Sequence, residues 1–300
     1  MGKRGRVRIL AVSLCLILAA SALPTSAGAD TGPKPSVRIR FSNMGGELCY
    51  GTLLSGSEST GPASAWDGRE ENAYTLENNP HSDYLPREIW EAFVNYEDPD
   101  GYYFLQRGWK VSESREIAWT YYPPSDFKIL LYYPETGAFV SGGACERYAF
   151  DSYYTVDMAG VSAGGRLEAV RSYDYGREAL SLLARVVITV AVEILVALPF
   201  GFRERRQLRI LLTVNLVTQA VLNVLLNIVG YKSGPLASAA YYALLELAVF
   251  AVEAVLYCRL LKRASGARRQ NRYYAAYAFA ANSASLLAGL FLARTLPGIF

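Results

Sequence analysis

Long apolar stretches near the C-terminus of this 300-residue chain constrain its fold more than any other feature. Each is long enough to cross the ~30 Å hydrocarbon core of a bilayer as a helix. They lie at residues 180–200, 208–229, 236–258 and 274–296. We therefore predict an all-α four-helix transmembrane bundle over residues 179–300.

The charges between these stretches predict how the bundle is oriented. Residues 201–207 and 259–273 are rich in arginine, whereas the loop at 230–235 carries only Lys232. Positively charged loops stay on the cytoplasmic side of a membrane. The two arginine-rich loops are therefore expected in the cytoplasm, with residues 30–178 and the C-terminus outside the cell.

The N-terminus has the pattern of a secretory signal peptide. Lys3, Arg4, Arg6 and Arg8 precede an apolar stretch at residues 9–20 that is too short to span a bilayer comfortably. Ala27-Gly28-Ala29 then forms a small-x-small cleavage site, so residues 1–29 are predicted to be removed. An uncleaved anchor is the alternative.

Residues 30–158 have the pattern of an extracytoplasmic β-rich domain. Short runs rich in aromatic and β-branched residues alternate with turn signals such as residues 98–101 (DPDG). Pro86 followed by Ile89, Trp90 and Phe93 at helical spacing predicts one short helix. We expect an antiparallel β-sandwich with that helix, joined to the membrane by a flexible linker at residues 159–178. The predicted strands are residues 37–41, 48–54, 102–106, 117–122, 127–133 and 148–157.

Polar residues inside the apolar stretches are the candidate functional residues. Asn215, Gln219 and Asn223 are four residues apart on one predicted helix, so their side chains share a face. Glu246 and Glu253 are seven residues apart on the next helix and also share a face. At 1.5 Å per residue, Glu193, Asn215, Glu253 and Asn282 reach a similar depth. The candidate intramembrane ion site comprises Glu193, Asn215, Gln219, Asn223, Glu246, Glu253 and Asn282.

Three interpretations of these residues stay open. Carboxylates in a membrane are costly, so they either are protonated and hydrogen-bond to the amides, or bind a proton, cation or small substrate. In the first case the hydrogen bonds fix how the helices pack against one another. In the second case the glutamates form the binding site of a carrier. Recognition of a partner's transmembrane helix is the third.

The predicted extracytoplasmic domain offers two further candidates. Cys49 and Cys145 can form a disulfide there or remain as buried free thiols. The acidic stretch Asn95, Glu97, Asp98 and Asp100 can bind calcium or form a hairpin turn. Its spacing does not fit a known calcium loop, which favours the turn.

Several classes of function are disfavoured. No histidine follows His81, and no aspartate lies in an apolar stretch, which excludes histidine-ligated metal sites, Ser–His pairs and paired aspartates there. The chain has no phosphate-binding loop and no dinucleotide fingerprint, so we predict no catalytic residue, metal ligand or cofactor. The small net charge of +3 gives no reason to expect nucleic-acid binding.

Three segments resemble sequences of known proteins. They are residues 49–55 (CYGTLLS), residues 121–124 (YYPP) with 127–130 (FKIL), and residues 148–153 (YAFDSY). The sequences of these segments are similar to those of a group of Gram-positive, clostridia-like proteins that combine an exported domain with four membrane helices. The resemblance implies a cell-envelope setting and no particular chemistry.

The resulting expectation is a non-enzymatic, multi-pass cell-membrane protein. Its exported domain would bind or sense an envelope ligand, and its helices would couple to the lipid bilayer and a membrane-protein partner. The alternative is a small proton- or cation-coupled carrier or channel that uses the intramembrane glutamates.

Overall fold

The computed structural model describes residues 32–78, 84–161, 165–265 and 270–295 and divides into two units. A β-rich unit comprises Lys34–Gly176 together with Gly230–Gly234. The described parts of Arg177–Val229 and Pro235–Phe300 form a helical unit. The predicted signal peptide, residues 1–29, lies outside the described residues.

The β-rich unit contains the strands and two short helices. The strands are β1 (Ser36–Ser42), β2 (Tyr50–Ser55), β3 (Ser59–Thr60), β4 (Ala63–Ser64), β5 (Tyr103–Phe104), β6 (Trp109–Lys110), β7 (Glu116–Trp119), β8 (Asp126–Tyr133), β9 (Ala138–Glu146), β10 (Asp151–Asp157), β11 (Arg166–Leu167) and β12 (Ala169–Arg171). The helices are α1 (Arg87–Val94) and α2 (Val111–Ser114), with one 3₁₀ turn at Glu70–Asn72. The helical unit contains α3 (Tyr175–Ala197), which begins in the β-rich unit, α4 (Arg205–Ala264) and α5 (Asn271–Thr295).

Two sheets enclose the main hydrophobic core. One has the strand order β12-β10-β1-β7, and the other has the order β11-β9-β8-β2-β5, with β6 also pairing with β2. Alternate residues of β8, namely Phe127, Ile129 and Leu131, face this core and are fully buried. The period-two pattern of the strands is therefore satisfied by burial between the sheets.

The pairing of the strands is not purely antiparallel, which corrects the predicted sandwich. β1 lies parallel to β10, with Ser36 opposite Asp151, and β11 lies parallel to β9. Residue alternation is the same in both kinds of pairing, so the pattern does not report strand direction. Only the return of a segment more than 100 residues away along the chain decides it.

The short helix α1 covers the outer face of the larger sheet. Ile89, Trp90 and Phe93 are buried, as their helical spacing predicts. They pack with Leu54 and Leu130, the β2 and β8 residues that point away from the main core. The helix prediction is thus confirmed, and the unit has three layers.

Part of the predicted linker is folded into the sheets. β12 pairs with β10 through Val170 opposite Thr155, and β11 pairs with β9 through Leu167 opposite Gly142. Leu167 is 2% exposed and belongs to the main core. Residues 159–176 therefore belong to the β-rich unit, apart from 162–164, which the structure does not describe. Two- and three-residue strands carry too little alternation to be recognised in the sequence.

The possible disulfide between Cys49 and Cys145 is not formed. Both are free thiols. Cys145 lies opposite Phe127, which lies opposite Ser55, whereas Cys49 precedes the other end of β2. At about 3.3 Å per residue the two cysteines are about 20 Å apart along the sheet, and a disulfide requires Cα atoms within about 7 Å.

We expect Cys49 to resist alkylation at pH 8 until the protein unfolds. Its side chain is fully buried, and burial raises the pKa of the thiol to about 12, so almost no reactive thiolate forms. Half-buried Cys145 reacts faster. Peptide mapping after timed iodoacetamide treatment measures both rates, with Cys49→Ser as the control. Recovery of a peptide pair linked through Cys49 and Cys145 would contradict the register.

The four-helix transmembrane bundle is also wrong. Two helices among the described residues are long and apolar enough to cross a membrane, Tyr175–Ala197 and Asn271–Leu292. The predicted stretches 208–229 and 236–258 instead lie in the two halves of α4, which is not such a span. The two apolar helices indicate association with a membrane.

The backbone of α4 turns at Gly234, where φ is 85° and ψ is 176°. Glycine tolerates this positive φ, and Pro235 follows it. Thr218 hydrogen-bonds to Glu253, 35 positions further on, which in a straight helix would lie about 52 Å away. The two halves of α4 therefore pack side by side.

Candidate functional site

A buried polar cluster lies within the helical unit, among side chains of α3, both halves of α4, and α5. Glu193 and Glu253 are fully buried, as is Asn215. Asn282 is 7% exposed and Ser285 6%. Four of the residues singled out in the sequence thus come together, and their role as a binding site remains a prediction.

Glu253 accepts two hydrogen bonds at the centre of the cluster. The Thr218 hydroxyl donates to Oε1 at 2.5 Å, and the Asn282 amide donates to Oε2 at 2.7 Å. Both oxygens of this carboxylate are therefore held by donors from two other helical segments. Such bonds fix the side chain in one position.

Glu193 is held less completely. The Ser285 hydroxyl donates to its Oε1 at 3.4 Å, and the side chain of Asn215 lies near the same carboxyl group. The Tyr277 hydroxyl donates to the backbone carbonyl of Glu193 at 3.1 Å. Oε2 of Glu193 has no partner in the described structure.

Three buried acceptor oxygens of the cluster lack a donor among the residues that the structure describes. They are Oε2 of Glu193, Oδ1 of Asn215 and Oδ1 of Asn282. A buried, unsatisfied polar group costs about 1–3 kcal/mol. An additional proton or a cation at these oxygens would remove that cost.

The orientation of the two asparagine amides is set by the backbone. Nδ2 of Asn215 donates to the Leu211 carbonyl at 3.0 Å, and Nδ2 of Asn282 donates to the Ala278 carbonyl at 3.0 Å. Rotating either amide would place its oxygen against a carbonyl oxygen. Both Oδ1 atoms therefore remain directed away from their own helices' backbone.

No basic side chain compensates the two glutamates within the described part of the chain. None of its ion pairs includes Glu193 or Glu253. Arg185 lies about 12 Å before Glu193 along α3, and its Nη2 donates to Asn227 at 3.2 Å. Two ionised carboxylates here would be uncompensated, which strongly disfavours that state.

The other sequence candidates lie at the edge of the cluster. Gln219 and Asn223 are buried on the same face of α4, and the Asn223 amide donates to the Gln219 carbonyl at 2.9 Å. Nε2 of Gln219 has no partner in the described helices. Glu246 is only partly buried and bonds to the hydroxyl of Tyr242, one turn earlier.

The sequence predictions omitted the hydroxyl groups of Thr218 and Tyr257, which belong to this cluster. Thr218 bonds to Glu253, and the Tyr257 hydroxyl accepts from Asn215 at 2.9 Å. Thr218 is three residues after Asn215, and Tyr257 four after Glu253, so both share a helix face with a chosen residue. That spacing would have found them.

The acidic turn of the β-rich unit holds a lysine rather than a loop for calcium. Nζ of Lys128 bonds to both Asp98 oxygens, at 2.8 and 3.0 Å, and to Asp100. The ammonium group also lies 4.8 Å from the centre of the Tyr102 ring. The segment does form a turn, in which the Gly101 N–H donates to the Asp98 carbonyl at 3.0 Å, but this turn joins α1 to β5 and is not the predicted hairpin. No group of three or more His, Cys, Asp or Glu residues suited to a metal occurs among the described residues.

Comparisons with protein-family models, with curated proteins and with solved structures return no match for this chain.

Proposed function

We propose that this protein is a membrane-associated, non-enzymatic protein whose helical unit takes up a proton or a small monovalent cation at the buried polar cluster. One observation carries the proposal. Two fully buried glutamates lie without a basic partner among the described residues, and three acceptor oxygens of the cluster, one of them Oε2 of Glu193, lack donors there. Oxygen ligands and carboxylates suit a hard cation, and a proton on Glu193 would convert an acceptor into a donor.

The cluster includes residues from both candidate membrane spans. Glu193 lies on α3, and Asn282 and Ser285 lie on α5. Ionisable groups at such positions mark ion paths and proton relays in membrane proteins. A small carrier or channel is the activity that this arrangement suits best.

The proposed topology places the arginine-rich ends inside the cell. Arg203 and Arg205 follow α3, and Arg272 lies at the start of α5. Positive charge at these two ends favours the cytoplasmic side for both, with the β-rich unit outside.

We expect the double variant Glu193→Gln with Glu253→Gln to lose ion uptake. Glutamine keeps an acceptor for Thr218 or Asn282 but removes the negative charge that attracts a cation or proton. The measurement is uptake of radioactive Na⁺ and K⁺, and of protons by a trapped dye, into vesicles containing the full-length protein. An uptake loss of tenfold or more, equal to about 1.4 kcal/mol in the transport barrier, is expected.

Glu178→Gln serves as the matched control, because Glu178 lies about four turns earlier on α3. It should transport like the unmodified protein. Uptake that is unchanged in the double variant, or that never exceeds that of empty vesicles for any of the three ions, contradicts the proposal. Circular dichroism of each variant establishes that its helices are retained.

We also propose, as a second function, that the β-rich unit binds an envelope ligand. Two adjoining cavities of about 440 and 320 Å³ share Ala144, Cys145 and Ala169, which lie on β9 and at the start of β12. Arg166 and Glu168 line the first cavity, and Arg171 lines the second together with Asp126 and Glu146, so a ligand that carries both anionic and cationic groups would suit them.

A photoreactive side chain at Ala144 tests this second function in intact envelopes. A defined envelope component should be crosslinked there, and crosslinking should fall when Arg166 and Arg171 are both replaced by glutamine. The same side chain at Glu135, an exposed turn position, is the control. Equal products at both positions would count against a ligand in the cavities.

A further inference from the structure

Five tyrosines of the β-rich unit form one aromatic surface. We call Tyr148, Tyr153, Tyr173, Tyr175 and Tyr231 the tyrosine surface. Tyr173 is central: its ring centre lies 4.9 Å from that of Tyr175, 5.2 Å from Tyr231, 6.0 Å from Tyr153 and 6.4 Å from Tyr148. Three separate chain segments contribute to it.

The tyrosine surface differs from the cores of the unit because it is partly open to solvent. Tyr175 is 62% exposed, and neighbouring Val170 is 60% exposed. None of the five tyrosines belongs to the buried residues of either hydrophobic core of this unit. Tyr148 packs against the edge of the main core, so the cluster lies at the border between that core and solvent.

A cationic side chain borders the aromatic rings. The guanidinium of Arg171 lies 4.8 Å from the centre of the Tyr148 ring and remains largely exposed. The guanidinium also hydrogen-bonds to the side chain of Tyr154, and stacking leaves its remaining N–H groups able to bond to phosphate oxygens. Lys232, next to Tyr231, is also exposed.

The position of the surface in the chain points to its occupant. Tyr175 is the first residue of α3, one of the two helices able to cross a membrane. Tyrosine is enriched where membrane helices meet the lipid headgroups, because its ring is apolar and its hydroxyl is polar. Exposed Val170 adds an apolar contact, and Arg171 suits lipid phosphate.

We propose that the tyrosine surface rests on the headgroup layer of the bilayer and holds the β-rich unit against the membrane. This inference requires only that α3 lies in the membrane and does not depend on ion uptake by the helical unit. The partner is the phosphate and glycerol region of phospholipids. A second copy of the chain would instead cover the rings with protein.

Tryptophan fluorescence in lipid nanodiscs tests the proposal with the full-length protein. The variants are Val170→Trp and, as the conservative second probe, Tyr175→Trp. The control is Glu135→Trp, in the exposed turn between β8 and β9. The start of β8 lies near Tyr154, and this turn follows the other end of the strand, eight residues further on. The four native tryptophans contribute the same background to each sample and are subtracted.

Lipids that carry a quencher on the headgroup should quench both probes several-fold more strongly than lipids that carry it at the chain end. The Glu135→Trp control should be quenched by neither. Quenching of Val170→Trp and Tyr175→Trp no stronger than that of the control overturns the proposal. If the probes are protected from lipid quenching, and this protection disappears when each disc holds a single chain, a second copy of the chain covers the rings. That result would overturn the proposal as well.

Discussion

Asp98→Asn is expected to lower the free energy of unfolding of the β-rich unit by about 3 kcal/mol. This is the low end of the range for removing one partner of a buried ion pair, because the pair lies close beneath the surface. The Asp98 side chain is 1% exposed and that of Lys128 6% exposed. Removing the charge of Asp98 leaves the ammonium group buried with only one carboxylate partner. Denaturant unfolding followed by tryptophan fluorescence measures the effect, because all four tryptophans lie in this unit.

Asp100→Asn is the matched control for this experiment. Asp100 bonds to the same ammonium group, but its side chain is 71% exposed. Solvent therefore screens its charge, and a loss below about 1 kcal/mol is expected. Equal losses for the two variants would mean that Asp98 is solvated like Asp100.

The same ion pair predicts a loss of stability at alkaline pH. Burial opposes the charge of Lys128, but the hydrogen bonds to Asp100 and Asp98 outweigh it, so the pKa of Lys128 is raised above its usual 10.5. Its contribution is therefore complete below pH 10.5 and declines as the pH rises through the higher, folded-state pKa. Asp98→Asn should flatten this alkaline decline.

Phe93→Ala is expected to lower the free energy of unfolding by about 3–5 kcal/mol, the range measured when a buried phenylalanine is replaced by alanine. Phe93 is fully buried and joins α1 to the outer face of the larger sheet. Its ring lies 5.2 Å from Phe104 and 6.0 Å from both Tyr132 and Phe139. Rigid strands on one side limit collapse into the space that the ring would leave.

Glu88→Ala, on the exposed face of the same helix, is the control for Phe93→Ala. It should change the free energy of unfolding by less than about 0.5 kcal/mol. Both variants are measured by the tryptophan unfolding assay. A small effect of Phe93→Ala would show that α1 contributes little to the folding of the β-rich unit.

The candidate site illustrates which residues a sequence can reveal and which it cannot. Glutamates 193 and 253 stand out because charges are rare in apolar stretches, and helical spacing identifies the face on which Asn215 lies. The hydrogen bonds that Glu253 accepts are donated by Thr218, 35 positions before it, and by Asn282, 29 positions after it. Such partners depend on how the helical segments pack, and sequence spacing carries no information about that.

Local patterns of the sequence by themselves determined some of the individual elements of this protein, although they did not reveal β9. Alternation identified β1 and β8, and helical spacing identified α1, since each pattern records which side of an element is buried. Only the tertiary structure decided the parallel pairing of β1 with β10, the strands within the expected linker, the separation of Cys49 from Cys145, and the turn of α4 at Gly234. These features depend on contacts between segments far apart in the chain, where the free energy of packing and of backbone hydrogen bonding outweighs local preference.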